Sequence, residues 1–432
     1  MDTREFLVLT DEDGRLVWRL SIGLGNDTAR VLAYLLRRRE TEHFASEPAT
    51  RLAVRIGTSL NREATAEALT TLEERDLIAA TTVQNGARGR PPKAWYAPEN
   101  IETTICRVDE AHAAALLKQA RIVAVALGSE HHTETATNDE TSPPSRIHLE
   151  LNWLRNPIHA PFFLAESSGS YEERGIDVAI SHRQGSGRAL DSLTTGSADV
   201  ALAGAATTVR ARQAGQPILP IALLFQRAMG VLYTTRDTFA GQFESAAQLQ
   251  GRRVGMSSTS ETGLLGRLFL SQAGVLDDVT VVDITGEEQA ALCSGRAAVV
   301  AGSFADPRQL ATEGWTVDSL LVADQFPMYG PALVTTEQTL RERQSELECF
   351  LAGTVAGWAE ATECPEAAVS VVEKDELTDE QRVRERRTFE CAVEKFATGS
   401  EVEKHGWGWQ RATGWERLMT ALDRTDLLAE SS

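Results

Sequence analysis

Hydrophobic and polar positions follow two different periods along this chain. From Asp27 to Arg38 apolar residues recur every three or four positions, which predicts an amphipathic helix with Asp27 as its cap. The same period predicts further helices over 48–56, 61–75 and 101–127. Short apolar runs at 77–83 and 94–97 predict two strands on either side of a basic turn. The first hundred residues therefore predict a mainly helical unit that ends in a hairpin.

A polar stretch separates this unit from the rest of the chain. Residues 129–146 contain no aliphatic side chain larger than alanine, and they include two adjacent prolines. Such a stretch cannot bury enough apolar surface to offset its ordering entropy, so a flexible linker is predicted. His131 and His132 lie in it without carboxylates or thiolates at ligand spacing, so no metal site is predicted.

Beyond the linker, short apolar runs alternate with helical segments. This alternation predicts an α/β fold with largely parallel sheets. The predicted division of the chain is 1–100, the mainly helical unit; 101–128, a helical connector that could pair with a second copy; 129–146, the linker; and 147–432, the α/β body.

Charge and composition narrow the classes of function. The net charge of −19 argues against a chain that coats nucleic acid along its whole length. Residues 1–100 are nearly neutral at −1, so this segment is the one that can approach a phosphate backbone. The basic residues comprise 38 arginines and only five lysines. An acidic, lysine-poor chain suits a salty cytoplasm and suggests a halophilic source.

The ends of the chain and its cysteines indicate a compartment. The first residues are acidic and lack the apolar core of a secretory signal, and no apolar run reaches the length of a membrane helix. Five scattered cysteines form no CxxC pair. We therefore expect a cytoplasmic, reduced protein with no membrane partner.

Polar and basic residues in the first unit are candidates for DNA contact. A recognition helix presents short polar or basic side chains near its N-terminus, and extended arginines can enter a narrow minor groove. The candidates are Asn61, Arg62 and Thr65 in the helix, and Arg88, Arg90 and Lys93 in the basic turn. The alternative is a solvated turn on a helical dimerisation module.

With this order of elements, residues 25–100 resemble winged helix-turn-helix transcriptional regulators. The segment Leu72-Glu-Glu-Arg-Asp-Leu-Ile is similar to the usual end of the family's recognition helix, although Asp76 stands where a glycine is common. The resemblance implies double-stranded DNA as a partner and a homodimer as the binding form.

Seven segments of the body occur in the order of a second family. They run from Asn152-Trp-Leu-Arg-Asn-Pro-Ile-His to Phe326-Pro-Met-Tyr. Residues 147–432 thereby resemble type II periplasmic binding proteins, specifically the thiamine-pyrimidine-synthase-like and alkanesulfonate/nitrate/taurine-binding group. The resemblance implies two α/β lobes around a ligand crevice, with lobe one at 147–229 and 334–432 and lobe two at 230–333.

Several side chains are candidates for the crevice. Trp153 can stack on a pyrimidine, Asn152 can bond both its donor and acceptor edges, and backbone N–H groups after Gly185 and Ser257 can hold an anion. The full set is Asn152, Trp153, His159, Ser186, Thr207, Ser258, Thr259, Phe304, Asp306 and Tyr329. For the aromatic and histidine residues core packing is the competing interpretation, and for the serines and threonines it is ordinary helix capping.

Two departures from the family matter. The thiamine-pyrimidine branch carries Trp-Asn-x-Glu on lobe two, whereas this chain has Gly302-Ser-Phe-Ala-Asp, so Phe304 could replace the aromatic residue and Asp306 is the nearest acid. Synthases that resemble this fold use a lysine for pyridoxal phosphate followed by a histidine, and Ala203 and Thr207 stand at those positions. Without an amine no Schiff base can form, so we expect no cofactor and no enzyme.

The leading hypothesis is a transcriptional regulator that senses a thiamine pyrimidine precursor, such as hydroxymethylpyrimidine or its phosphate, and controls thiamine-related genes. Two alternatives remain: an enzyme of thiamine pyrimidine biosynthesis, and a solute-binding receptor for an anionic or sulfonate ligand.

Overall fold

A computed structural model of the chain describes residues 7–83, 91–128, 145–372, 377–425 and 427. Its N-terminal region is mainly helical. The elements of this region are α1 (Gly14–Leu24), α2 (Asn26–Glu40), β1 (Ala49–Thr50), α3 (Arg51–Thr58), α4 (Arg62–Glu74), β2 (Ala79–Thr82), β3 (Lys93–Tyr96) and α5 (Ile101–Ala126). The three strands form an antiparallel sheet in the order β1-β3-β2.

Side-chain caps fix where the helices of this region begin. The Thr50 hydroxyl accepts a hydrogen bond from the backbone of Ala53 at the start of α3, and the Asn100 side chain accepts one from Thr103 at the start of α5. A dense apolar core that includes Tyr34 and Trp95 lies between the helices and the small sheet. The sequence did not predict α1, and the residues predicted as a turn at 57–60 partly continue α3.

The connector helix α5 packs on its own chain. Its buried residues face α1 on one side, and on the other side they face the body, including a strand and two helices named below. Most of the apolar surface that could pair with a second copy is thereby covered, because Val108, Leu116 and Leu117 are fully buried. Of the predicted linker, 129–144 lie outside the described residues, and Ser145 and Arg146 already belong to a strand.

The body contains two five-stranded sheets. Its elements up to the second sheet's last strand are β4 (Ser145–Leu151), α6 (Ala160–Ser167), β5 (Ile176–His182), α7 (Ser186–Thr194), β6 (Val200–Ala203), α8 (Ala205–Gln213), β7 (Ile218–Leu223), β8 (Gly230–Thr235), β9 (Arg253–Met256), α9 (Glu261–Gln272), β10 (Thr280–Asp283), α10 (Glu288–Cys293), β11 (Val299–Ser303), α11 (Asp306–Thr312) and β12 (Val317–Leu321). The remaining elements are α12 (Val322–Gln325), β13 (Ala332–Thr336), α13 (Glu337–Glu342), α14 (Gln344–Glu363), α15 (Pro365–Val372), α16 (Asp379–Phe396), α17 (Ser400–His405) and α18 (Ala412–Asp423).

The two sheets define two lobes. In lobe one the strand order is β5-β4-β6-β13-β7, with β4 parallel to β5 and β6, and β13 antiparallel to its neighbours. In lobe two the order is β10-β9-β11-β8-β12, with β8 antiparallel to both of its neighbours. The chain passes between the lobes twice, after β7 and after β12. The two-lobed α/β architecture expected from the sequence is therefore confirmed.

The N-terminal region meets lobe one at a buried polar junction. Asp109 of α5 is 1% exposed and accepts hydrogen bonds from Arg19 of α1, at 3.0 and 2.6 Å, and from Arg174 of the body, at 3.4 Å. The His112 Nε2 lies 2.6 Å from the Trp407 carbonyl oxygen, and the Trp407 backbone N–H donates to the Ile22 carbonyl at 2.7 Å. We call these residues the head junction.

The described residues include neither a candidate membrane-spanning helix nor a candidate metal cluster. None of the helices there is long and apolar enough to cross a membrane. Within the same residues, no group of three or more His, Cys, Asp or Glu side chains is arranged to hold a metal ion.

Candidate ligand-binding crevice

The carboxyl ends of the parallel strands of the two lobes face each other. In open α/β sheets, ligands bind in the crevice outside these ends, where loops and helix N-termini supply polar groups. Here β4 and β6 supply the lobe-one side, whereas β9 and β11 supply the lobe-two side, and each strand is followed by a helix or helical turn. Helices α8 and α9 meet across the crevice.

Four residues of lobe one form a connected polar cluster at this edge. The Ser186 hydroxyl, at the start of α7, accepts a hydrogen bond from the Gly204 backbone N–H at 3.0 Å and one from the Asn152 amide at 3.3 Å. The Asn152 carbonyl in turn accepts from the Gly185 N–H at 2.9 Å. The structure thus brings the predicted residues Asn152 and Ser186 together on one surface, with the amide oxygen of Asn152 in no described hydrogen bond.

A glutamate of lobe two, which the sequence analysis missed, completes the site. The carboxylate of Glu261, the first residue of α9, reaches across to the N-terminus of α8. It accepts hydrogen bonds from the backbone of Ala206 at 3.0 Å, the backbone of Thr207 at 2.8 Å and the Thr207 hydroxyl at 2.5 Å. Burial raises the pKa of Glu261, while these three bonds oppose that shift. The predicted ligand residue Thr207 therefore bonds a side chain of the same protein in this structure.

The sequence carries a weak signal for Glu261. It follows Ser260, whose side chain caps α9, and an acid in the first turn of a helix is the ordinary partner of the helix dipole. Glu261 and its partner Thr207 in α8 are 54 positions apart in the sequence, so no local pattern could reveal their contact.

Two further lobe-one candidates differ in exposure. Trp153 follows β4 and is 51% exposed, so its ring is open to a ligand. His159 is fully buried, with its Nδ1 3.3 Å from the Asn156 amide. Burial lowers the pKa of His159 to about 3, so the ring is neutral at pH 7. This burial fits the alternative that His159 packs in the core, and it does not fit the predicted role of His159 in ligand binding.

On lobe two, Ser258 and Thr259 lie in the loop before α9. The Ser258 backbone N–H and hydroxyl both donate to the Asp283 carboxylate, at 2.9 and 3.2 Å. The Thr259 N–H donates to the Ser257 hydroxyl at 3.3 Å. These groups are exposed at the crevice edge, but a ligand anion would have to compete with Asp283 for the first of them.

Phe304 and Asp306 follow β11. The Phe304 ring packs edge-on against Phe396 of lobe one, with centroids 5.0 Å apart. The Asp306 carboxylate accepts from the Ser303 N–H at 2.7 Å and so closes the turn between β11 and α11. Burial raises the pKa of Asp306 to about 6. Both residues are only partly exposed, and both are occupied by contacts within the protein.

The predicted crevice residue Tyr329 lies elsewhere. Its ring packs against Trp415 of α18 with centroids 5.4 Å apart, and its hydroxyl accepts from the Arg411 N–H at 3.0 Å. The core-packing interpretation of Tyr329 therefore holds, because the C-terminal helix covers this tyrosine.

The candidate DNA contacts include exposed residues, a buried residue and residues outside the described part of the chain. The Asn61 side chain caps α4 by accepting from the backbones of Glu63 and Ala64, both at 2.9 Å, and Arg62 is exposed beside it. Thr65 is fully buried, with its hydroxyl bonded to the Asn61 carbonyl at 2.7 Å, so the prediction that it contacts DNA is wrong. Lys93 is half exposed and pairs with Glu73 at 2.5 Å. Arg88 and Arg90 lie outside the described residues.

Comparison with solved structures decides the fold of the body. The periplasmic aliphatic sulphonate binding protein of Escherichia coli superposes with a TM-score of 0.53 and 15% identity, over 66% of this chain and 94% of that protein. The body has the fold of a periplasmic binding protein. Such a low identity shows the fold alone.

Comparison of sequences gives the same region a family resemblance. Residues 156–368 match the family described as NMT1/THI5 like. A formylaminopyrimidine-binding protein of Halalkalibacterium halodurans is 24% identical over 69% of this chain and 90% of its own length. A 4-amino-5-hydroxymethyl-2-methylpyrimidine phosphate synthase of Saccharomyces cerevisiae is 32% identical, but over 26% of this chain and 32% of its own length.

Both of these relatives are named for small pyrimidines. The relative that aligns over most of its length is named as a binding protein, whereas the similarity to the synthase is partial. The prediction of a cytoplasmic location is contradicted by these comparisons taken together, since the relative that aligns over most of its length is a binding protein and the fold is shared with a periplasmic one.

Proposed function

We propose that the chain binds a small amine-bearing pyrimidine in the crevice between the two lobes. The observation that carries this proposal is the polar cluster of Asn152, Ser186 and Glu261 at the carboxyl ends of the parallel strands. The formylaminopyrimidine-binding relative supports the choice of ligand class. A crevice between two α/β lobes is an ordinary site for a ligand of this size.

Each part of the cluster suits one feature of such a ligand. An aminopyrimidine presents a flat aromatic face, ring-nitrogen acceptors and an exocyclic amine donor. The exposed ring of Trp153 offers a stacking surface. The Asn152 amide can pair with a donor–acceptor edge, and Ser186 holds Asn152 in place.

Isothermal titration calorimetry of the full chain with 4-amino-5-hydroxymethyl-2-methylpyrimidine tests the proposal. We expect saturable binding of one ligand per chain. Asn152→Ala and Ser186→Ala should each weaken it about tenfold, since a lost hydrogen bond to a bound ligand costs about 1.4 kcal/mol. Ser294→Ala, which removes an exposed hydroxyl on lobe two, should leave affinity unchanged. No heat of binding, or equal affinity in all variants, contradicts the proposal.

We further propose that the N-terminal region is a winged-helix unit that binds double-stranded DNA. The succession of α3, a short turn, α4 and the β2–β3 hairpin supports this, as does the third strand β1 paired with β3. The exposed guanidinium groups of Arg51, Arg55 and Arg62 supply positive charge along α3 and the start of α4. The regulator and its homodimer stay predictions.

Fluorescence anisotropy with a labelled duplex of arbitrary sequence tests this second proposal. We expect binding at low salt, with an affinity that falls as salt rises because bound arginines release counterions. Arg62→Ala should reduce the salt slope by about 1. Arg417→Ala removes an exposed arginine of α18 and should change nothing. Absence of binding at low salt, or an unchanged slope for Arg62→Ala, excludes α4 as the contact.

A further inference from the structure

The crevice holds a carboxylate at the N-terminus of α8, a position that favours an anion. The N-terminus of α8 points its free backbone N–H groups into the crevice, and such groups are ready-made donors for sulfate, sulfonate or phosphate. In this chain the Glu261 carboxylate takes the N–H groups of Ala206 and Thr207, together with the Thr207 hydroxyl. The donors that would bind an anionic ligand are already used.

The fit of this carboxylate depends on a glycine. A Cβ placed on Gly204 would lie 2.1 Å from Cδ of Glu261, so any side chain at position 204 would displace the carboxylate. The backbone of Gly204 has φ −64° and ψ 144°, which any residue adopts. The absence of a side chain at 204 therefore serves the close approach of Glu261 rather than the conformation of the turn.

One acceptor position of the Glu261 carboxylate is not used by the contacts with α8. An ionised carboxylate offers about four lone-pair positions, and three of them are used here. Oε2 accepts both Thr207 groups, whereas Oε1 accepts the single Ala206 N–H. Oε1 can therefore accept one more hydrogen bond from a donor such as an exocyclic amine, but it repels a phosphate or sulfonate group.

We infer that Glu261 sets the specificity of the crevice by occupying the anion position of lobe one and offering Oε1 to an amine. The inference has two halves. The amine half, that Oε1 accepts from a ligand amine, rests on the proposed function, whereas the anion half, that Glu261 excludes anions, is independent of it. The crevice then selects neutral, amine-bearing ligands and rejects anions, including the phosphate ester of the same pyrimidine.

Titration of the full chain with inorganic phosphate, ethanesulfonate and 4-amino-5-hydroxymethyl-2-methylpyrimidine tests this. We expect phosphate and ethanesulfonate to bind Glu261→Ala at least tenfold more tightly than the unaltered chain. Glu261→Gln should fold in the same shape and give a smaller gain, because it removes the charge but keeps one acceptor. The amine-bearing pyrimidine should bind Glu261→Ala at least tenfold more weakly. Glu244→Ala removes an exposed lobe-two charge and should change none of these affinities.

The outcomes separate the two proposals. If neither Glu261 variant gains affinity for anions, or if the unaltered chain binds them equally well, the inference is overturned. If anion affinity rises but the pyrimidine binds no form of the chain, the anion half stands and the proposed function fails. If the pyrimidine binds the unaltered chain and Glu261→Ala equally well, the amine contact of Oε1 is excluded.

Discussion

The head junction and the contact between the lobes are built differently. At the head junction a buried carboxylate, two arginines and main-chain hydrogen bonds join the N-terminal region to lobe one. Between the lobes, Glu261 of α9 reaches the N-terminus of α8, the Phe304 ring packs on Phe396, and the Arg308 guanidinium donates to the Arg387 carbonyl at 3.3 Å. The lobes are therefore joined by separate, partly exposed contacts, whereas the head junction is one buried cluster.

The largest expected effect comes from breaking the head junction. Asp109→Ala leaves Arg19 and Arg174 without their shared partner in a buried position. Removing one member of a buried charge cluster costs about 3–5 kcal/mol of unfolding free energy. Denaturant unfolding measures this. Glu110→Ala, an exposed acid one position along, is the control and should cost under about 0.5 kcal/mol. A loss below about 1 kcal/mol for Asp109→Ala would show that the junction is weak.

The pH dependence of stability should come next in size. Burial lowers the pKa of His112 to about 3, whereas an unfolded histidine titrates near 6.5. Between these values the unfolded chain binds more protons, so stability is full above pH 6.5 and falls as the pH decreases. Each such histidine should cost about 2 kcal/mol between pH 7 and pH 5.

Unfolding at several pH values for the unaltered chain and for His112→Phe measures this contribution. His159 contributes with the same sign, so we expect His112→Phe to reduce the slope rather than abolish it. His148→Phe alters an exposed histidine and should retain the full slope. An unchanged slope in His112→Phe would mean that His112 is accessible to protons in the folded chain.

The smallest expected effect concerns the contact between the lobes. Gly204→Ala should displace Glu261 and lose its hydrogen bonds, at a cost of about 1–2 kcal/mol. Gly187→Ala is the matched control, because a Cβ there meets nothing within 4 Å. If the midpoints of the two variants in urea coincide, Glu261 does not stabilise the closed arrangement of the lobes.

Local sequence patterns predicted the helices and strands better than they predicted which residues contact each other. The apolar period identified α2, α4 and α5, and the alternation of strands and helices identified the α/β body, whereas its two lobes were implied by the family resemblance. The same patterns could not show that Thr65 faces inward, because its position relative to Asn61 is set by the cap of α4. Nor could they place Tyr329 under α18, since that contact joins residues 82 positions apart.

The candidate crevice shows the same limit. Asn152 was selected for an amide that can pair with a pyrimidine edge and Ser186 for its place at a helix start, and the structure brings the two side chains into contact. Glu261 was missed because its sequence neighbours describe an ordinary helix start, and only the packing of lobe two on lobe one gives it a second role.

A crystal structure of the full chain grown with 4-amino-5-hydroxymethyl-2-methylpyrimidine tests the site most directly. We expect density for one ring between the lobes, beside Trp153 and Asn152, with its amine within hydrogen-bond distance of the Glu261 Oε1 and the α8 contacts of Glu261 retained. Density for the ring outside the crevice, or an empty crevice at saturating ligand, would contradict a pyrimidine site between the lobes.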